Sequence, residues 1–303
     1  MVASRDLRAV AVLAVAAGGV ALLFLMRSEE AGRATAPGVS SLALFDRGGR
    51  KLEVLGSSAD YLVPRISPDG TRLAMDMVDS ATHRRDIWLC DLEKHSWKRL
   101  TSDPSSASQP VWSPDGRRLA FSSTQKGPSN LFARAADGSG ADELLYEDEK
   151  TKMATDWSPD GKHIAYMCTE RESETFWDIW ILDVAQRKAA PLLETRAVER
   201  GAVFSPDGSS IAYSSSESGT EEVYLRPFPG PGEARRISSG GGMFPRFRRD
   251  GKELFYVAPG NRLTSVSLPD AGTPRELFAA KMAFAQFYDV SPDAQRFVIS
   301  LTR

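Results

Sequence analysis

The side chains able to do chemistry in this chain are few and scattered. His83 and His95 fall in charged loops (THRRD and EKHSW), and His163 opens an apolar stretch. None has a Cys, His, Asp or Glu partner at metal-ligand spacing, so no metal centre is expected. Cys90 and Cys168 lie inside apolar runs, IWLCDL and IAYMCT, where a buried, inert thiol is the expectation. A serine hydrolase would need a G-x-S-x-G elbow with a later histidine, and none is present. Gly240-Gly241-Gly242 has no Lys-Ser/Thr after it; it reads as a connection rather than a phosphate loop. Asp178 and Asp183 are spaced to cap turns. No catalytic residue, cofactor or metal is therefore assigned.

The one acid that recurs does so in a fixed setting. Ser-Pro-Asp-Gly occurs at 67–70, 113–116, 158–161 and 205–208, with worn copies Arg248-Arg249-Asp250-Gly251 and Ser291-Pro292-Asp293-Ala294. A type I turn favours Ser at its first position, Pro at its second and Gly at its fourth, and the Asp accepts local backbone N–H groups. The motif is thus a corner between two strands, not an active-site signature. An enzyme needs one site, not four nearly equal ones.

The elements around the corners follow from the period. The motif aspartates advance in steps of 43–47 residues. Each repeat carries an apolar run before the corner (PVWS, AVFS) and an alternating run after it (RLAFSS, SIAYSS). A third strand follows (DIWLCDL, DIWILDV) and then a shorter fourth (WKRLTS, APLLET). Four strands per repeat of about 45 residues is the blade of a β-propeller. The fold class is all-β: a six-bladed β-propeller of four-stranded blades, preceded by one N-terminal hydrophobic helix. The sixth corner joins one strand pair (FYDVS and QRFVIS) with no third and fourth strand after it, whereas SLALFD (41–46) and RKLEVL (50–55) precede the first corner without partners. These N-terminal strands are expected to complete the C-terminal blade and close the ring.

Residues just upstream of each corner do not repeat uniformly. The immediate neighbours Ile66, Trp112, Trp157, Phe204, Phe247 and Val290 are all apolar, suited to packing between blades. One step earlier stand Arg65, Val111, Asp156, Val203, Arg246 and Asp289, with charge near the axis where burial is costly. Two readings stand side by side. In one, Arg65 and Arg246 pair with Asp156 and Asp289 and seal the channel. In the other, this ring, with Glu199 and Arg200 at the channel mouth, holds a polar ligand or a partner's loop.

Before residue 40 the chain differs in kind. Ala9–Met26 carries no charge and would extend about 27 Å as a helix, close to the bilayer's hydrocarbon thickness. Residues 1–30 read as a membrane anchor or signal segment, 31–39 as a linker and 40–303 as the propeller. Arg27-Ser28-Glu29-Glu30 follows the apolar run directly, which favours an uncleaved anchor over a cleaved signal. A net charge of −2 without blocks of like charge argues against a nucleic-acid partner.

With the repeats laid out, PVWSPDGRRLAF at 110–121 and the following D-I-W-x-x-D resemble the WD40-like repeat of the TolB-type propeller family of bacterial envelopes. The resemblance covers about residues 40–303, without the α/β domain that precedes the family namesake's propeller. The run ISSGGGMFPRFRRDGKELFYVAP (237–259) is also similar to the periplasmic propeller half of bacterial receptor-type serine/threonine kinases, with no kinase motif alongside. The resemblance implies a non-enzymatic, monomeric propeller that binds a protein or envelope component at its channel face. Its expected place is the periplasm, anchored in the inner membrane or secreted after signal cleavage. The alternative is a propeller enzyme, a lyase or hydrolase using channel carboxylates.

Overall fold

The computed structural model describes residues 40–302 apart from 58, 80–81, 170–176 and 283–286. The expected apolar segment Ala9–Met26 and the linker 31–39 lie outside the described residues. Among those described, no helix is long and apolar enough to cross a membrane.

Six antiparallel sheets follow one another along the chain as blades. The innermost strands of blades 2 to 5 are Ala107–Trp112, Thr151–Trp157, Glu199–Phe204 and Met243–Phe247. Each is hydrogen-bonded to the strand after its corner, for example Phe204 opposite Ile211 in blade 4. In blade 1 the innermost strand is split into Asp60–Tyr61 and Arg65–Ile66. Asp76 accounts for the break: its backbone carbonyl accepts the Leu62 N–H (3.0 Å) and its carboxylate the Val63 N–H (3.0 Å). Pro64 has no N–H to offer.

Blade 6 joins the two ends of the chain. Tyr288–Val290 and Arg296–Leu301 supply its first two strands, and Ser41–Asp46 and Lys51–Gly56 its last two, in the order 51–56, 41–46, 296–301, 288–290. Ser41–Asp46 runs antiparallel to Arg296–Leu301 over all six positions, from Ser41 opposite Leu301 to Asp46 opposite Arg296. Alternation along the closing strand explains its sequence. Leu42 and Leu44 pack with Leu73, Met75 and Cys90 of blade 1. Ala43 and Phe45 pack with Phe255, Val257 and Leu263 of blade 5. One apolar strand thus fills two inter-blade interfaces, and the ring has no open edge between its termini.

The corners have the expected turn chemistry. In all six the fourth residue donates its N–H to the first residue's carbonyl, at 2.7–2.9 Å. The first serine also donates its hydroxyl to the motif aspartate (Ser67 Oγ to Asp69 Oδ1, 2.5 Å) and accepts the N–H five residues on (Arg72, 2.9 Å). The aspartate in turn accepts the N–H of the residue after the glycine. The fourth residue has φ near +70°, at +72° for Gly208, a conformation that favours glycine. The worn sixth corner puts Ala294 there at φ +56°. Between blades, the aromatic before the corner is clamped by an arginine of the preceding blade: Arg72 lies 4.7 Å over Trp112 and Arg118 6.0 Å over Trp157.

Candidate functional site

The corners of all six blades converge on a central cavity of about 400 Å³. Its rim carries the corner prolines Pro68, Pro114, Pro159, Pro206 and Pro292. The aromatic and aliphatic residues preceding each corner form its walls, with Trp112, Trp157 and Phe204 largely buried. Its ionisable lining is Arg65, Asp156, Arg246, Arg249 and Asp289. The corner aspartates are not part of it; each is turned into its own corner.

Four of the six residues singled out by the sequence therefore meet in one cavity. The pairing among them is less simple than two matched salt bridges. Arg246 Nε lies 3.3 Å from Asp289 Oδ1, and Nη1 donates to the Pro245 carbonyl at 2.8 Å. Asp289 Oδ2 accepts the Ile66 N–H of blade 1 at 2.7 Å. Asp156 follows the same rule one position round the ring, accepting the Phe204 N–H of blade 4 at 2.7 Å. Each aspartate thus ties its own blade to the next through a backbone amide. Arg65 donates to the Pro64 carbonyl at 2.8 Å and forms no ion pair among the described residues. Its own carbonyl accepts the Trp112 indole N–H at 2.9 Å.

These charges are held in poor solvent. Burial, with Arg246 beside it, pushes the Arg65 guanidinium down to about 9, against the pull of Asp289 and Asp156. Burial likewise pushes the Asp156 carboxyl up to about 6, opposed by the Phe204 N–H and by Arg246.

Glu199 and Arg200 sit elsewhere. They begin the innermost strand of blade 4, whereas the cavity is lined from Val203 onward at its far end, roughly 13 Å along the strand. Glu199 is fully buried; burial lifts its carboxyl to about 7, the Thr195 hydroxyl (2.5 Å) opposes this, and Asp178 and Glu217 reinforce it. Arg200 lies 3.5 Å from Glu221. This pair belongs to the opposite end of the ring.

The remaining polar candidates are engaged structurally. Asp183 caps a turn by accepting the Gln186 N–H at 2.7 Å. The glycine run is tied down, because Gly240 and Gly241 donate to Glu222 Oε1 at 2.8 and 3.1 Å. His95 Nδ1 lies 2.9 Å from Glu53, and His163 packs edge-on to Phe228. No group of three His, Cys, Asp or Glu side chains among the described residues is placed to hold a metal ion. Burial pushes the Cys90 and Cys168 thiols up to about 11 and 12.

Arg249 was not legible as a site residue. The worn fifth corner puts it where the other five corners have proline. It is exposed at the rim and donates to the Pro68 carbonyl of blade 1. The only sequence signal was the mismatch itself.

The fold and cavity define a closed six-bladed propeller whose polar, aromatic-walled channel opens on the corner face. Residues 39–177 and 153–303 match the family model described as the TolB beta propeller domain. The chain belongs to that family. It is 36% identical over 111 residues to the Tol-Pal system protein TolB of Anaeromyxobacter dehalogenans, covering 36% of this chain and 25% of that protein. It is 33% identical over 151 residues to the TolB homolog of Chlorobium luteolum, covering 50% of this chain and 33% of that protein. The matches thus span a quarter to a third of these relatives' lengths. The structure of a putative TolB from Agrobacterium tumefaciens superposes with a TM-score of 0.74 over 88% of this chain and 98% of that one, at 22% identity, a likeness of fold.

Proposed function

We propose that this chain is a non-enzymatic TolB-like propeller that docks a protein or envelope component at the corner-face cavity. The observation that carries the reading is the cavity itself: a polar floor under aromatic walls at the point where six blades meet. Its two aspartates are occupied in joining blades, which suits a rigid receptor better than a proton-transfer pair. In this reading Ala9–Met26 anchors the chain in the inner membrane and the propeller stands in the periplasm as a monomer.

Affinity capture from envelope membranes with the full chain, compared with the Arg65→Ala/Arg246→Ala variant, tests the docking site. The expected result is loss of a specific partner by a variant that still unfolds cooperatively. Unchanged capture refutes the site. Protease accessibility in intact and permeabilised cells tests the location; cleavage of the propeller only after the inner membrane is breached contradicts it.

One observation favours a second reading. Asp156, held near 6, is in the range of a general acid or base. If the cavity is catalytic, Asp156→Asn abolishes a turnover that the folded parent shows; a turnover insensitive to that change contradicts this alternative.

A further inference from the structure

The cavity carries three guanidinium groups against two carboxylates. Both carboxylates already have partners, Asp289 in Ile66 N–H and Arg246, Asp156 in Phe204 N–H. The cations are less well served. Arg246 is buried, yet its Nε makes no hydrogen bond, despite lying 3.3 Å from Asp289. Among the described residues, Arg65 has only a neighbouring carbonyl as hydrogen-bond acceptor. Arg249 likewise has only the Pro68 carbonyl among them, a neutral acceptor on another blade. A neutral acceptor does less for a guanidinium than a carboxylate, which it can meet through two parallel N–H bonds.

Arg249 also replaces the residue that the turn prefers. Proline at the second corner position stabilises the other five turns, and this corner gives that up for a cation over the opening. Nothing in the corner uses the charge: Arg248 pairs with Asp250 (3.3 Å) and approaches Glu253, while Arg249 reaches away to another blade. The volume, about 400 Å³, suits one side chain with its flanking backbone rather than a folded domain.

We propose that the cavity receives a carboxylate from an extended segment of a protein partner, with Arg249 as the gate. The incoming group takes Arg249 from the Pro68 carbonyl and meets Arg246 and Arg65 below it. This rests on the docking function proposed above and names the chemistry of the docked segment. The corner aspartates do not line the cavity; each is held in its own turn.

The test is an NMR titration of the full chain, reading the arginine Nε–Hε signals, with Arg249 assigned through Arg249→Lys. The probes are acetyl-Gly-Glu-Gly-amide, its neutral counterpart acetyl-Gly-Gln-Gly-amide, and acetyl-Gly-Gly-Gly with a free carboxylate. The expected result is a saturable shift of the Arg249 and Arg246 signals by a carboxylate probe, the tighter of the two showing whether a side-chain or terminal carboxylate is preferred. The Gln probe should bind at least tenfold more weakly. Arg249→Pro, which restores the residue of the other five corners, should fold normally and weaken the carboxylate probe about tenfold. Silence from both carboxylate probes, equal binding of the Gln probe, or unaltered affinity in Arg249→Pro overturns the proposal. If the carboxylate binds as described but partner capture ignores Arg65→Ala/Arg246→Ala, the docking function fails and the carboxylate site stands.

Discussion

Leu42→Ala tests whether the termini truly close the ring. Leu42 is fully buried in the closing strand, packed among Leu73, Met75 and Val298 at the seam between blades 6 and 1. Removing its three outer carbons loses the transfer energy of the side chain and leaves a cavity between two rigid sheets. Buried Leu→Ala changes cost 2–5 kcal/mol, and a seam walled by β-sheet backbone has little room to collapse, so about 3 kcal/mol is expected. That is a large part of the roughly 5–15 kcal/mol of a typical domain. Urea unfolding followed by far-UV circular dichroism should show a lower midpoint with an unchanged slope and a single transition. Val54→Ala, on the exposed outer strand of the same blade, is the control and should stay within about 0.5 kcal/mol. If Leu42→Ala is as silent as Val54→Ala, residues 41–46 are not part of the cooperative core and the closure argument fails.

Other expectations follow from single residues. Gly208→Ala should cost about 1 kcal/mol through its φ of +72° alone, since the added Cβ would only touch Pro159 at 3.4 Å; a neutral result in thermal melts would show that the corner relaxes. Asp289→Ala should cost about 3 kcal/mol, because it leaves Arg246 buried without its ion pair and removes the acceptor of Ile66; a loss below about 1 kcal/mol would mean that water replaces it. Asp156 has a folded value near 6, above the ordinary carboxylate value of about 4, so the folded state binds the extra proton. Its contribution therefore falls as pH rises from about 4 to 6, and Asp156→Asn should lack that slope in pH-dependent unfolding; identical profiles would refute the assignment. Asp69 behaves in the opposite sense. Burial would raise it, but the Ser67 hydroxyl and the Thr71 N–H and hydroxyl win and hold it at about 2. Its stabilisation is present above about 4 and lost as pH falls toward 2, and Asp69→Asn should flatten the acid limb there. An unchanged acid limb in that variant would contradict the assignment.

The corners and their count were legible because turn chemistry is local: Ser, Pro, Asp and Gly each have a reason to be there that needs no neighbour. Closure was legible from counting, since two strands at one end and two at the other make one blade. The split strand of blade 1 was not, because it depends on Asp76, a residue of the adjacent strand, capturing two amides. At the site, the positions of Arg65, Asp156, Arg246 and Asp289 followed from the strand parse. The Arg246–Asp289 ion pair was among the expected pairings; the backbone amides of the next blade that both aspartates accept were not, because that choice is fixed by inter-blade geometry. Glu199 and Arg200 stand at the start of the strand whose far end lines the cavity, a separation that only strand length along the axis reveals. Arg249 was hidden by the assumption that a degenerate corner is merely worn.

The central claim is that the corner-face cavity docks a protein partner. Site-specific photo-crosslinking in living cells tests it most directly, with the crosslinking residue at Pro159 on the rim and, for comparison, at Val54 on the outer edge. The second position of a type I turn accepts most residues, so the Pro159 variant should fold. The account predicts a discrete protein adduct from position 159 that is absent from position 54 and is lost when Arg65→Ala/Arg246→Ala is added. No adduct at 159, or the same adducts from both positions, would contradict it.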